Sequence, residues 1–349
     1  MFTAMGLAAS LAMTPAGASS TQEAAQAVKQ QDGAESYSEA GTAAVQRGDV
    51  VEAARLYRLA ADEGDAKGQL GLGLAYHFGQ GVLQNYAEAV RWYRLAANQG
   101  EASAQGILGI MHQNGLGVPQ SYAEAVRWYR LAADQNSSGG QSSLGTMYYY
   151  GLGVPQSHSE AVRWYRLAAD QGNGEAQADL GLMYYNGLGV PQNFAEAARW
   201  FRLAANQGVV RAQNNLGNLY SQGEGVPQNY AEAARWYRLA ADQFYSQAQN
   251  GLGIIYEYGQ GVRQNYAEAV RWYRLAAEQG NSQAQYNLGR MYHRGLSVPQ
   301  NYVQAYKWFN LAAAQGDALA VTNRDQVAAL MTPAQIAEGQ RLAAEWRPS

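Results

Sequence analysis

Apolar and polar residues alternate along this chain with the period of a helix, and the pattern returns every 36 residues. In the copy that spans 66–100, one apolar face begins at Leu72, and a second begins at Ala89 with apolar residues at i+3, i+4 and i+7. Each copy therefore predicts two helices, and two helices alone cannot bury their apolar faces. We expect the copies to stack into an all-α solenoid of 36-residue helix-turn-helix repeats.

Glycines and capping residues mark the ends of the two helices in each copy. Gly79 and Gly81 form a Gly-x-Gly-Val turn, because glycine readily adopts the left-handed backbone that ends a helix. Asn85 and Glu88 then have the spacing of a capping box at the start of the second helix. Ser297 replaces the second glycine in the last copy, so we expect that loop to have a different shape. The capping spacing recurs at Ser121 with Glu124, Asn193 with Glu196 and Asn265 with Glu268.

One glycine stands in the middle of every first helix. Because a mid-helix glycine costs about 1 kcal/mol relative to alanine, its recurrence indicates a close approach, and we expect the aromatic residue of a neighbouring second helix to lie over it. The tryptophans of the second helices are predicted to supply most of the stacking energy, since one buried aromatic covers about 150–250 Å². The glycines are Gly73, Gly109, Gly145, Gly181, Gly217, Gly253 and Gly289.

The charge balance argues against nucleic acid as a partner. The chain has 25 Lys and Arg against 28 Asp and Glu, a formal net charge of -3. Most of the basic residues fall in two repeat columns that start at Arg55 and Arg58, and the first of these follows a glutamate by three residues, as in Glu52 and Arg55. A protein that binds a duplex needs a basic stripe that is not neutralised in this way.

The sequence gives only weak support for a catalytic or metal site. There is no cysteine, which excludes disulfides, cysteine-ligated zinc and a thiol nucleophile. The glycine-rich loops follow helices and lack the lysine of a phosphate-binding loop. The four histidines, none of them in a His-x-x-x-His pair, are His77, His112, His158 and His293. We therefore predict no catalytic residue, no cofactor and no metal.

The full repeat motif, Leu-Gly-x-x-Tyr-x-x-Gly-x-Gly-Val-Pro-Gln-Asn-Tyr-x-Glu-Ala-x-x-Trp-Tyr-x-x-Ala-Ala, resembles the Sel1-like repeat family, a branch of the tetratricopeptide superfamily. It stands in one copy as Leu180-Gly181, Tyr184, Gly189-Val190-Pro191, Trp200-Phe201 and Ala204-Ala205. The resemblance implies a right-handed α/α superhelix whose first helices line the concave side. It also implies a scaffold or adaptor role in protein complexes, without catalytic residues.

The chain divides by pattern into five predicted segments. Residues 1–18 resemble a signal peptide, although no Lys or Arg precedes the apolar stretch, and 19–33 are predicted to be flexible. Residues 34–65 resemble a tetratricopeptide-type capping hairpin, 66–318 form seven Sel1-like repeats, and 319–349 contain a C-terminal capping helix. A signal peptide would place the protein in the periplasm or outside the cell; a cytoplasmic alanine-rich tail is the alternative. No later stretch is apolar for the roughly 18 residues that span a bilayer.

Comparison of the chain with itself shows which positions the stacking does not dictate. In the first helices, the columns that start at Leu70, Gly71, Leu74, His77 and Phe78 vary from copy to copy. Tyrosine and asparagine on such a face suit peptide binding, because Tyr offers contact area at low entropy cost. Neutral drift of a solvated face and binding of a cell-envelope glycan are the alternatives. The predicted partner-binding residues are Phe78, Gln113, Asn114, Tyr149, Tyr150, Tyr185, Asn186, Asn215, Asn218, Gln222, Tyr258 and Arg294.

Overall fold

The computed structural model describes residues 37–348, which contain helices and no strand. The predicted signal peptide, 1–18, and the predicted flexible segment, 19–33, lie outside the described residues. The described residues divide into two compact units, one that extends to residue 156 and one that begins at residue 157. Within each unit consecutive helices pair, and the pairs repeat about every 36 residues, so the prediction of an all-α solenoid is confirmed.

We call the odd-numbered helices up to α15 first helices and the even-numbered helices up to α16 second helices. The first unit contains α1 (37–46), α2 (Val50–Asp62), α3 (Ala66–Phe78), α4 (Tyr86–Asn98), α5 (Ala102–Asn114), α6 (Tyr122–Asp134) and α7 (Ser138–Tyr150). The second unit contains α8 (His158–Asp170), α9 (Gly174–Asn186), α10 (Phe194–Asn206), α11 (Val210–Gln222), α12 (Tyr230–Ala241), α13 (Ser246–Tyr258), α14 (Tyr266–Glu278), α15 (Ser282–Arg294), α16 (Tyr302–Ala314), α17 (Ala318–Ala328) and α18 (Pro333–Glu345). No described helix is long and apolar enough to cross a bilayer.

The recurring glycine of the first helices lies directly against an aromatic ring of the next helix, as predicted. A Cβ placed on Gly217 would lie 2.7 Å from the ring of Tyr237, and one placed on Gly289 would lie 2.8 Å from the ring of Phe309. Both distances are too short for any side chain, so only glycine allows the two helices to approach this closely. The aromatic is the residue that follows the tryptophan in each second helix.

The tryptophan itself joins its copy to the preceding one. Trp236 of α12 is 3% exposed and packs in a cluster with Phe201 of α10 and Leu216 of α11. Trp128 of α6 makes the equivalent contact with residues of α4 and α5. The tryptophan column therefore lies at the interfaces between copies, where a stack of this kind obtains its cohesion.

Buried glutamines form a second connection between copies, which the sequence analysis did not anticipate. Gln105 of α5 donates its amide hydrogen to the carbonyl oxygen of Ala97 in α4, at 3.1 Å. Its side-chain oxygen accepts from Nε2 of Gln135, which follows α6, at 2.7 Å. Both ends of the amide are thus satisfied across three consecutive helices, as a buried polar group requires. The same pair of bonds recurs at Gln177, Gln213, Gln249 and Gln285.

The second arginine column connects each copy to the next. Arg238 donates to the hydroxyl of Tyr256, 18 residues later, at 2.8 Å and lies over the ring of Trp272. Arg94 is the exception, because His112 replaces the tyrosine. His112 is buried, and burial lowers the pKa of its imidazole below the ordinary value. This column therefore has a structural role.

Of the two contacts in each capping box predicted for the second helices, the structure contains one and lacks the other. Oδ1 of Asn85 accepts from the backbone N–H groups of Ala87 and Glu88, so the helix is capped as expected. Glu88, however, pairs with Arg91 at 3.4 Å instead of reaching back to the cap. A carboxylate gains more from a cation one turn away than from a neutral amide. The six equivalent pairs behave alike, and such exposed pairs contribute at most about 1 kcal/mol each.

The loops between paired helices keep one backbone shape throughout. The second glycine of each loop is left-handed and touches the start of the preceding second helix, as Gly225, with φ 69°, touches Phe194. Ser297 adopts the same region with φ 58°, so the prediction of a differently shaped last loop is wrong. The surrounding structure therefore holds Ser297 in the left-handed region despite the local cost for a residue other than glycine.

The last two helices continue from the final repeat. Thr332 and Gln335 form the predicted capping box, and proline starts α18. Gly339 of α18 lies against the ring of Tyr306 in α16, and Trp346 packs at the edge of the apolar cluster that contains Trp308. Helix α18 thus packs against α16, the second helix of the last repeat.

Candidate functional site

The last residue of each first helix from α3 to α15 is exposed, and we call these residues the terminal column. Three of them are large: Phe78, Tyr150 and Tyr258 are 60%, 64% and 56% exposed. Each of them contacts one described side chain, Phe78 that of His77, Tyr150 that of Tyr149 and Tyr258 that of Arg290, and yet remains more than half exposed. The other members are Asn114, Asn186, Gln222 and Arg294.

The residue before each member of the terminal column has a structural role in several copies. We call these residues the penultimate column. Oε1 of Gln113 accepts from the hydroxyl of Tyr129 at 2.7 Å, and Oε2 of Glu257 accepts from the hydroxyl of Tyr273 at 2.7 Å. Burial raises the pKa of the Tyr129 phenol to about 12, so this hydroxyl remains a donor. The predicted partner-binding oxygen of Gln113 is therefore already engaged within the protein.

In two copies the residue that follows the tryptophan of the second helix is phenylalanine, which has no hydroxyl to donate to the penultimate residue. Phe201 and Phe309 lie 16 residues after Tyr185 and His293, which carry rings in place of an amide or a carboxylate. Tyr185 packs edge-to-face on Phe194, with ring centroids 5.3 Å apart. His77 and Tyr149, however, also carry rings, although Tyr93 and Tyr165, 16 residues later, have hydroxyls. The sequence therefore does not separate this column from a binding surface.

Tyr149 and Tyr150 form an aromatic pair at the end of α7. Their ring centroids lie 4.7 Å apart in an edge-to-face arrangement, in which Tyr149 is half-buried and Tyr150 is exposed. Aromatic pairs of this geometry are stabilised beyond their buried area. The first unit thus presents an ordered aromatic surface near the loop that follows α7.

In the second unit, charged residues of the varying columns connect neighbouring first helices. Arg211 of α11 bonds Asp179 and Glu175 of α9. Arg290 of α15 bonds the buried Glu257 of α13 at 2.8 Å and contacts the hydroxyl of Tyr258 at 3.4 Å. These pairs hold adjacent first helices in register, and the second one positions a member of the terminal column. None of these charged residues has an oppositely charged residue three positions away on its own helix. This absence indicates a partner on another helix, and sequence reasoning did not use it.

The remaining predicted residues of the second unit fall into two groups. Asn218 and Gln222 line one cavity of about 360 Å³ between α11 and α13, whereas Asn186 and Arg294 stand exposed at the ends of α9 and α15. Oδ1 of Asn218 accepts from the hydroxyl of Tyr237 at 2.7 Å, so this residue has an internal partner as well. Asn215 is half-buried and accepts from Asn214 at 3.4 Å.

No cluster of three or more His, Asp or Glu side chains that could hold a metal ion occurs among residues 37–348. The two histidines of the penultimate column make ring contacts, His77 edge-to-face with Tyr86 and His293 in a tilted arrangement with Tyr302. The histidines with ring contacts thus serve as aromatic packing groups at the ends of their helices.

Comparison with known proteins gives a consistent result. Two solved structures are similar over nearly the whole chain, and no curated protein matches. The Escherichia coli protein c5321, described as a protective antigen present in uropathogenic strains and displaying an SLR fold, is 39% identical, with a TM-score of 0.79 over 90% of this chain and 70% of its own. A Sel1 repeat protein from Oxalobacter formigenes is 34% identical, with a TM-score of 0.64 over 89% of this chain and 90% of its own.

The Sel1 repeat family matches the chain in eight successive segments, one of which is the hairpin at 34–65. The matched residues are 34–65, 66–101, 102–137, 138–173, 174–209, 210–243, 246–281 and 282–317. The chain therefore belongs to the Sel1 repeat family.

Proposed function

We propose that this protein is a non-catalytic scaffold that binds an extended segment of a partner protein along the terminal column of its first helices. Proteins of the Sel1 repeat family are generally protein-interaction scaffolds and typically non-catalytic. The observation that carries the proposal for this chain is the contrast between two columns. The mid-helix glycine is identical in every copy, whereas the terminal column is exposed in every copy and differs in chemistry from one to the next.

The residues of the terminal column suit an extended peptide. Tyr150 and Tyr258 supply large contact areas with few rotatable bonds, and Asn114 and Asn186 supply both donors and acceptors for a peptide backbone. Arg290 and the Tyr149 ring hold the two tyrosines in place, which reduces the entropy lost on binding. A row of different side chains on a regular scaffold also gives each position of the partner its own contact.

Export of the protein is also part of this proposal, and we infer it from the sequence of residues 1–18. The description of c5321 as a protective antigen favours it, because antibodies reach proteins that are exposed on or outside cells. The cytoplasmic location is the alternative.

Replacement of both Tyr149 and Tyr150 by alanine should abolish capture of the partner and leave the fold intact. The exposed ring of Tyr150 contributes little to packing, whereas the loss of both rings removes the largest contact area at the end of α7. The measurement is affinity capture from an extract of the source cells with the full chain, beside circular dichroism of both proteins.

The matched control is Leu131→Ala, which shortens a partly exposed apolar side chain of the second helix α6. We expect this variant to capture the partner normally. Equal recovery by the double variant would contradict the proposal. A retained ligand that survives protease but not glycosidase treatment would instead indicate a glycan.

A further inference from the structure

Arg94 is the one member of the second arginine column without a partner among the described residues. The other six arginines each donate to the hydroxyl of a tyrosine 18 residues later, as Arg130 donates to Tyr148. Because His112 replaces the tyrosine, the guanidinium of Arg94 has no hydrogen bond, ion pair or ring contact with a described residue. An arginine side chain has five N–H donors, and those of Arg94 are available to a ligand.

The surroundings of Arg94 depart from the other copies in a second way that also favours an anion. Asn98 follows Arg94 by four residues and therefore lies on the same face of α4. Five of the other copies have a carboxylate at this position, and Asn206 is the remaining amide that follows an arginine. The arginine before it, Arg202, keeps its tyrosine partner, Tyr220. Arg94 thus lacks both the hydroxyl and the carboxylate. The acidic members of the column are Asp62, Asp134, Asp170, Asp242 and Glu278.

A cavity of about 420 Å³ lies beside Arg94, between α4 and the loop that precedes α6. This volume is in the range of ligand pockets. Leu95 is 40% exposed, so the apolar part of the lining is accessible to a ligand. The cavity therefore offers cations and apolar surface side by side. Its polar lining is Arg91, Arg94 and Asn98, and its apolar lining includes Val90, Leu95 and Val118.

The charges at this cavity favour a ligand with a single negative charge. Arg91 is paired with Glu88 at 3.4 Å, so these two side chains neutralise each other and Arg94 is the uncompensated cation of the lining. A carboxylate suits Arg94, because the guanidinium and the carboxylate can form two parallel hydrogen bonds. Asn98 adds an amide donor, whereas the aspartate of other copies would repel a carboxylate. A phosphate dianion would keep an unbalanced charge close to Glu88.

We propose that this cavity binds a small monocarboxylate that carries an apolar chain. The carboxylate pairs with Arg94, and the chain lies against Val90, Leu95 and Val118. An exposed ion pair alone contributes little to affinity, so removal of the apolar chain from water supplies most of the binding energy. The site lies on a second helix and a loop, so the proposal goes beyond the proposed function and does not depend on the terminal column.

Titration calorimetry of the full chain with hexanoate tests the proposal. We expect one hexanoate to bind per chain. Acetate lacks the apolar chain and 1-hexanol lacks the charge, so each should bind at least tenfold more weakly. Hexyl phosphate, a dianion at about pH 8, should also bind more weakly than hexanoate. No binding of hexanoate, or equal binding of hexanoate and hexanol, would overturn the proposal.

Two variants locate the site. His112→Tyr supplies the hydroxyl that the other copies have, so it should engage Arg94 inside the protein and weaken hexanoate binding at least tenfold. Arg94→Gln should weaken binding to the same extent. The matched control is Arg202→Gln, which changes the equivalent arginine in a copy where Tyr220 is present, and it should leave binding unchanged. Thermal melts check the fold, and we expect no loss of stability from His112→Tyr.

The outcomes of these variants are distinct. Hexanoate binding that survives both Arg94→Gln and His112→Tyr would overturn the site. An equal loss from Arg202→Gln would show that the arginine column acts through the fold and would overturn it as well. The proposed function is tested at Tyr149 and Tyr150, so failure of the carboxylate site leaves the scaffold role in place.

Discussion

Replacing Trp236 by alanine is expected to lower the free energy of unfolding by about 3–5 kcal/mol. The indole is almost completely buried between its own copy and the preceding one, where it contacts Phe201 and Leu216. Rigid helices on both sides cannot collapse into the space that the ring leaves. Denaturant unfolding followed by circular dichroism measures the loss, which is expected as a lower midpoint.

Leu239, on the same helix, provides the matched control. This side chain is 40% exposed, so Leu239→Ala should cost less than about 1 kcal/mol. Both variants shorten a large apolar residue of α12, and they differ in whether the residue lies between copies. Equal losses from the two variants would show that the tryptophan column does not hold the copies together.

Gly225→Ala is expected to destabilise the protein by about 2–5 kcal/mol, through two separable effects. The left-handed backbone, with φ 69°, costs any L-residue about 1–2 kcal/mol. In addition, the new Cβ would lie 2.2 Å from the carbonyl carbon of Phe194, so the loop has to move away from α10. Overpacking of this kind adds about 1–3 kcal/mol.

Gly208→Ala isolates the first of these effects. Gly208 is also left-handed, with φ 87°, but no atom lies within 4 Å of the position that a Cβ would take. We therefore expect only the backbone cost of about 1–2 kcal/mol. Thermal melts of the two variants give the difference. If they melt together, the contact between the loop and the preceding helix contributes nothing to stability.

The sequence alone predicts the features that repeat without change. The helix pairs, the close approach at Gly217 and the burial of the tryptophans follow from columns in which one residue type recurs at a fixed spacing. Such columns record contacts that every copy makes, so the repetition itself separates them from surface positions.

Features that depend on a choice between partners could not be predicted. Glu88 has the spacing for the cap at Asn85 and for the salt bridge with Arg91, and the sequence does not show which one forms. The bonds of Gln105 and Gln135 join residues 30 apart, and their geometry follows only from the packing of three helices. The spacing of polar residues gives the candidates, whereas tertiary structure selects among them.

The candidate site shows the same division. Exposure of the terminal column agrees with the variability from which the column was chosen, and its role in binding stays a prediction. Gln113 and Asn218, chosen on the same ground, turn out to accept hydrogen bonds from buried tyrosines. A position that varies from copy to copy can therefore be engaged inside the protein, so variability alone does not identify a contact with a partner.

Site-specific photocrosslinking tests the scaffold proposal most directly. A benzophenone amino acid is placed at Tyr150 in one protein and at Tyr258 in another, with matched controls at Leu131 and Leu239 on second helices of the same units. The account predicts that irradiation in cell extract yields one partner adduct from both tyrosine positions and none from either leucine. Adducts from the leucine positions alone would place the binding surface on the second helices and contradict the account.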